Sequence, residues 1–374
     1  MKKSIGQCSV FTLFLLALIA FGSDGQTIRR VNNDPLVALG LNMYRTVQAA
    51  HDAAVVNDII YIEPQTYTSL SIGSLICTKT LRFIGNGYNH TQNTNIVQPF
   101  IKDASGILSV TVQNTAPQTS FEGITFTTGN LTIEAMNVKI TRCNFGNMSI
   151  SLIRDQNGKN GSSAEFTRNL FNYSFGGFSA TGYSITDINN VVTLYQISNV
   201  SILNNIFVGG LTINSLFSNS YIYPSWNNLI VKNNSIETYI YGSNFQNGVF
   251  QSNIIRYGFN SASTLSTFGN VASNNVCSLI CGFGTNNIEN VPYASIYNTT
   301  NQVGENIYIL SATSPAIGAG LGGVDAGAFG TNNPYRLSGL APIPQITAYS
   351  KNASSGVYTA TTPMTVTISV RGNN

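Results

Sequence analysis

Short apolar runs interrupted by asparagine and glycine recur along most of this chain. In "SILNNIFVGG" (residues 201–210) two adjacent asparagines break a run of strand-forming residues. A lone strand gains nothing from them, since Asn is a poor strand former and costs free energy when buried without partners. Near-copies follow elsewhere. A register of apolar, any, any, Asn, any, apolar fits residues 166–171 ("FTRNLF"), 202–207 ("ILNNIF"), 231–236 ("VKNNSI"), 250–255 ("FQSNII") and 271–276 ("VASNNV"). Residues 121–126 and 140–145 keep the apolar ends, with Ile124 and Cys143 in the Asn place. These segments start 19, 26, 36, 29, 19 and 21 residues apart, so a unit near 20 residues recurs with insertions.

A repeat of this size implies a stack in which each unit buries its apolar face on its neighbours. Leucine-rich repeats need a regular Leu framework, which is missing, and propeller blades need about 40 residues. Strand residues separated by Gly and Asn turns, with no helical pattern between them, predict an all-β chain folded as a parallel β-helix (solenoid). Equivalent positions then lie above one another at roughly 4.8 Å. That geometry accounts for the asparagines: stacked amides hydrogen-bond along the stack, and Asn tolerates the left-handed conformation of a sharp bend. A structural ladder of Asn169, Asn205, Asn234, Asn253 and Asn274 is expected, each residue both making the turn and satisfying its own amide.

The pattern changes at the two ends. Residues 1–25 have a positive start (Lys2, Lys3), an apolar run over 10–21 and small residues at Gly22, Ser23 and Gly25, which reads as a secretory signal peptide. Its removal leaves no integral membrane segment, because that run is shorter than the roughly 20 residues a span needs. The chain is therefore expected to be secreted or held at the cell surface. In residues 45–67, Val47, Ala50 and Ala54 fall on one side at helical spacing, predicting a short N-terminal capping helix with His51 on its surface. A strand over 59–62 is expected next. The β-helix domain with its cap is assigned to 26–340, and the Gly-rich stretch 314–339 is expected to close the last coil. Residues 341–374 read as a linker and a small tail of β-strands.

Composition narrows the function classes. The 374 residues are only 9% charged and 43% hydrophobic, and Asn occurs 46 times. Few Lys, Glu and Ala argue against a helical protein. Loss of residues 1–25 takes the net charge from +3 to +2, which gives no basis for binding nucleic acid. Cys77, Cys143, Cys277 and Cys281 remain; Cys277 and Cys281 are near enough to pair, with buried reduced thiols the alternative. No paired CxxC or His cluster suggests a metal site. The N-x-S/T sequons, such as those at Asn89 and Asn130, arise readily in so Asn-rich a chain.

Three stretches carry a family resemblance. Residues 47–67, with "PQTY" at 64–67, look like the opening segment of secreted right-handed parallel β-helix proteins, although Gln65 stands where Gly is usual. The "ILNNIF" units are similar to the pectate-lyase-type repeat. "SPAIGAG", "VDAGAFG" and "PYRLSGLAPIPQI" resemble the closing segment of such proteins in Gram-negative bacteria that use surface polysaccharides. The resemblance covers residues 48–346 and implies a right-handed helix. It does not fix an activity, because this fold hosts lyases, hydrolases, epimerases, adhesins and stalks.

A hydrolase needs paired carboxylates, and no adjacent acids occur between residues 121 and 290. A lyase needs converging acids, with calcium as the one cofactor in view, and a Lys or Arg base. Arg154, Asp155, Lys159, Glu165, Arg168 and Asp187 are the weak candidates. Binding of a polysaccharide or cell-surface glycan is easier to support. Tyr221 and Tyr223 alternate along one segment, Tyr239 and Tyr241 along another, and the single tryptophan, Trp226, lies close by. Outward rows of such rings suit the C–H faces of sugars. The leading expectation is a non-catalytic, carbohydrate-binding or adhesin-like surface protein; a lyase or hydrolase acting on acidic polysaccharide is the alternative.

Overall fold

The computed structural model describes residues 26–64, 73–88, 100–101, 107–172, 177–186, 192–209, 211–217, 226–242, 245–260, 268–300, 302, 304–339, 345–351 and 366–371. Residues 1–25, where the signal peptide was expected, lie outside them. Among the described residues the chain is nearly all β, built from three long sheets of 11, 8 and 9 strands, here sheets 1, 2 and 3. The chain visits them in a fixed order. Ser201–Leu203 lies in sheet 1, Ile206–Phe207 in sheet 2 and Leu211–Phe217 in sheet 3; Ile230–Lys232, Ser235–Ile236 and Tyr239–Gly242 then repeat the circuit. Each strand pairs in parallel with its counterparts in the neighbouring circuits, so Phe166, Ile202, Val231, Phe250 and Ala272 stand in one row. The result is an all-β, solenoid-like stack.

Burial follows from the alternation of strand side chains. The middle residue of each three-residue strand of sheet 1 points inward and is buried, as are Phe126, Phe145, Phe171 and Phe207 of sheet 2. These four rings stack at centroid separations of 5.0, 4.9 and 4.4 Å. Offset stacking of this kind adds about 0.5–1.5 kcal/mol per pair beyond area burial.

The corner between sheets 1 and 2 divides between two residues the work expected of one. Arg142, Arg168, Asn204, Asn233, Ser252 and Asn274 take the left-handed conformation, with φ of 53–58°. The buried residue that follows supplies the ladder. Asn169 donates from its main-chain N–H and its Nδ2 to Oδ1 of Asn205 at 2.8 and 3.1 Å. Asn205 does the same to Asn234 at 2.9 and 3.0 Å, Asn234 to Asn253 at 3.0 Å twice, and Asn253 to Asn275 at 3.0 Å twice. Asn275 continues to Asn287 at 3.0 and 3.2 Å. Cys143 starts the file, its N–H donating to Asn169 Oδ1 at 2.9 Å. Asn275, not Asn274, therefore occupies the ladder. The inward row passes through Ala272, while Val271 is 52% exposed, so aligning on the more apolar residue slips the register by one.

At the start of the stack, the helix Val47–Ala53 buries Val47 and Ala50 and is capped by Thr46, whose side chain accepts from Ala49 N–H. Lys79 Nζ closes its other end, donating to the carbonyls of His51, Asp52 and Ala54 at 3.1, 3.0 and 2.9 Å. His51 is not on the surface. It is 2% exposed, and its Nε2 accepts from Thr78 N–H at 3.0 Å, which leaves Nδ1–H to donate to Asp52 at 2.9 Å. The reason lies in the chain that follows: the loop at Thr78 packs onto the helix and needs an acceptor. Cys277 and Cys281 form a disulfide near the last described coil, and Cys77 and Cys143 are free and buried.

The Gly-rich stretch does not close the last coil. It runs back along the outside of the corner as a strap. Gly327 N–H donates to Ser252 O at 2.8 Å, Ala328 N–H to Ser235 Oγ at 3.1 Å, and Asn204 Nδ2 to Ala328 O and Gly330 O at 3.1 and 2.9 Å. Arg168 Nη1 reaches Asn333 Oδ1 at 2.8 Å, and Tyr88 N–H donates to Ser338 O at 2.7 Å. Glycine is required at two points of the strap: Gly327 has a φ of 90°, and a Cβ on Gly339 (φ 58°) would lie 2.5 Å from the Arg142 carbonyl. What draws the strap here is a second apolar layer. Leu170, Ile206, Ile254 and Val276 point outward from sheet 2, and Val291, Ile296, Ala316, Ala326, Ala328 and Tyr335 cover them. The far end is fastened by Glu305, which accepts from Tyr335 and Ser338, while the Tyr335 and Tyr88 hydroxyls are hydrogen-bonded. Burial pushes the Glu305 carboxyl up to about 7, against the opposing pull of these donors. The tail is an antiparallel pair, Gln345–Lys351 with Val366–Arg371.

Candidate functional site

In sheet 3 the strand Tyr239–Gly242 buries Ile240 and turns Tyr239 and Tyr241 to the other face. Tyr241 is 37% exposed and Tyr239 half-buried. The two rings meet edge to face at 5.2 Å, and Tyr257 from the next circuit adds a third ring 5.0 Å from Tyr239. Register explains the gathering. The partner of Tyr239 in the next coil is Gly258, which brings no side chain, and Tyr241 is flanked by the small polar Thr212 and Asn260.

Beside the rings, Glu237 and Arg256 hold the same place after sheet 2 in consecutive coils, which sets them one above the other. Arg256 Nη1 donates to Glu237 Oε1 at 2.6 Å, and Tyr293 OH donates to the other carboxylate oxygen. The Arg256 guanidinium lies 4.5 Å from the Tyr293 ring centre and 5.1 Å from that of Tyr257. Burial, then the bond to Glu237, pushes the Tyr293 hydroxyl far above its usual range, so it stays a donor. The group is an aromatic platform flanked by the Arg256–Glu237 ion pair, with its one carboxylate engaged on both oxygens. The sequence carried a signal for it that the repeat alignment passed over: Glu237 and Arg256 both follow the apolar end of the motif, 19 residues apart.

The other expected sugar-binding residues lie elsewhere. Trp226 is fully buried, in an interior row with Ile197 and Phe245 of a small three-stranded sheet. Its indole fills the core because residue 226 pairs in register with Ile197 and Phe245, whose side chains are also buried. Tyr221 and Tyr223 lie outside the described residues.

The candidate catalytic residues are spent on separate partners. Arg154 Nη1 donates to the Gln196 carbonyl at 2.7 Å, and Asp155 Oδ1 accepts from the N–H groups of Asn157 and Lys159 in its own turn. Lys159 pairs with Glu134 at 2.6 Å, Glu165 with Lys139 at 3.8 Å, and Arg168 holds Asn333. Asp187 lies outside the described residues. Among those residues no three His, Cys, Asp or Glu side chains are grouped to hold a metal ion. No described helix is long and apolar enough to cross a membrane. Comparison with known proteins finds no matching family model, curated protein or solved structure for this chain.

Proposed function

We propose that this chain is an exported right-handed parallel β-helix protein, of the pectate-lyase-like type, that binds a polysaccharide or cell-surface glycan without transforming it. The fixed order of three parallel sheets supports the fold reading, and the strong preference of parallel crossovers for one hand supports the right-handed turn. The observation that carries the binding reading is the outward trio of Tyr239, Tyr241 and Tyr257. Two of its rings stand on one face of a strand whose alternate residue, Ile240, is locked in the core, so little side-chain freedom remains to be lost on binding. Sugar rings offer C–H faces that stack on such tyrosines, and Arg256 beside them favours hydroxyl-rich or acidic chains. The engagement of both Glu237 oxygens supports a non-catalytic role.

The deciding experiment is electrophoresis of the mature chain through gels containing a panel of neutral and acidic polysaccharides. Each is also assayed for unsaturated or shortened product. Retardation by at least one polymer, lost in Tyr239→Ala and Tyr241→Ala and without product, is expected. Retardation that survives both substitutions, or release of product, overturns the reading. Export is tested separately: the secreted chain should begin within a few residues of Gly25.

A further inference from the structure

The corner between sheets 1 and 2 has a second peculiarity. At the left-handed position most coils place glycine or an uncharged residue (Gly123, Asn204, Asn233, Ser252, Asn274), but two consecutive coils place Arg142 and Arg168. The pairing of Thr141 with Thr167 sets these arginines side by side, roughly 4.8 Å apart along the stack. Left-handed backbone is unfavourable for arginine, and so is the juxtaposition of like charges. The strap then adds a third guanidinium, Arg336, close enough to act electrostatically on both.

Arg142 is buried at the centre of the cluster, and Arg168 and Arg336 are half-buried. Arg142 is 4% exposed. Its Nη2 pairs with Glu122, but its Nη1 is buried with no hydrogen-bond partner. Arg168 donates from Nη1 to Asn333 and from Nη2 to Thr141 Oγ1, yet its Nε is likewise buried and unpartnered. Burial first, then Arg168 and Arg336, lowers the Arg142 guanidinium to about 10. Of the nearby carboxylates, Glu122 pairs with Arg142, while Glu165 acts on Arg168 and is shared with Lys139. Glu305, the next carboxylate along the strap, gives its oxygens to Tyr335 and Ser338. Buried cationic N–H groups left unpaired are among the costliest features a fold can keep.

We propose that Arg142, Arg168 and Arg336 form a binding site for an oxyanion group (carboxylate, sulfate or phosphate), with the free N–H groups of Arg142 and Arg168 as its donors. The planar guanidinium suits such groups, which accept two hydrogen bonds side by side. The group can arrive as a free inorganic anion or as a substituent of an acidic glycan. This site shares no residue with the tyrosine face, so the two readings stand or fall separately. With the anion bound, the strap is held to the coils at Arg168 and Arg336 through a shared ligand as well as through Asn333.

The test is titration calorimetry of the mature chain at fixed ionic strength with inorganic phosphate, inorganic sulfate, glucuronate and a glucuronate oligomer. Saturable binding by at least one is expected, weakened about tenfold or more in Arg168→Gln and in Arg336→Gln, the effect of losing one charge-assisted bond. Tighter binding of the oligomer than of the inorganic ions assigns the site to a glycan substituent; the reverse assigns it to a free anion. If Arg168→Gln does not fold, Arg168→Lys, which keeps the charge but lacks the Nε–H, should weaken binding in the same direction. Absence of saturable binding in all four arms, or equal binding by the folded variants, overturns the proposal.

Discussion

The outer faces of sheets 2 and 3 begin from the same backbone geometry and end differently. On sheet 2 the outward positions are Leu170, Ile206, Ile254 and Val276, and the strap buries them. On sheet 3 the outward positions around residue 240 are tyrosines, and Tyr241 remains exposed. An aliphatic row has no use except to be covered. A tyrosine row tolerates water at its hydroxyls while offering ring faces. The first face is thus covered and the second is open to solvent at Tyr241, although both belong to one repeat.

The largest effect expected lies at the corner between sheets 1 and 2, on which the sheet 2 face depends. Asn205→Leu removes a fully buried amide and orphans the N–H and amide of Asn169 together with the Phe166 carbonyl. A loss of about 4 kcal/mol is expected in urea denaturation, since several buried partners go unsatisfied at once. A loss under about 1 kcal/mol would show that the ladder is decoration. Next, Ile206→Ala under the strap should cost about 3 kcal/mol, as for other buried aliphatic truncations. An effect as small as that of a surface change would mean the strap does not hold the outer layer.

The latch of the strap gives a pH signature of similar size. Glu305 is raised in the folded chain from 4.5 to about 7, so the folded state binds the proton more tightly than the unfolded one. Its stabilising contribution is full below about pH 4.5 and is lost as pH rises through about 7, up to about 3 kcal/mol in all. Melting temperature measured from pH 5 to 8 should fall across that window in the native chain and fall less in Glu305→Gln. The smallest effect belongs to the open face: Tyr241→Ala should change stability by no more than about 0.5 kcal/mol while abolishing polysaccharide retardation. If Tyr241→Ala destabilises as much as Ile206→Ala, the two faces are not different in kind.

Much of the stack was legible because its signals are local and repeated. The apolar ends of "ILNNIF" and the asparagine inside it fix where the chain bends and what points inward. Asn275 was missed where the inward position shrank to Ala272, since the alignment followed size and slid onto the exposed Val271. The strap was missed for a different reason. Residues 170, 206, 254 and 276 are apolar next to an already apolar position, and two apolar neighbours in a strand mean both faces are covered. That signal was present, but the strap bonds to residues between 69 and 165 positions away in the chain, and no local pattern joins the two. Trp226 and His51 misled because residue type suggests a role, while burial is decided by what packs above. The Arg142–Arg168 pair was half visible: both occupy the bend position of adjacent repeats, but Arg336 reaches them only through the returning strap.

That return path also links distant parts of the column: Gly327 bonds to Ser252 in a late coil and Gly339 packs against Tyr88 in an early one, so a single covalent segment splints the stack lengthwise.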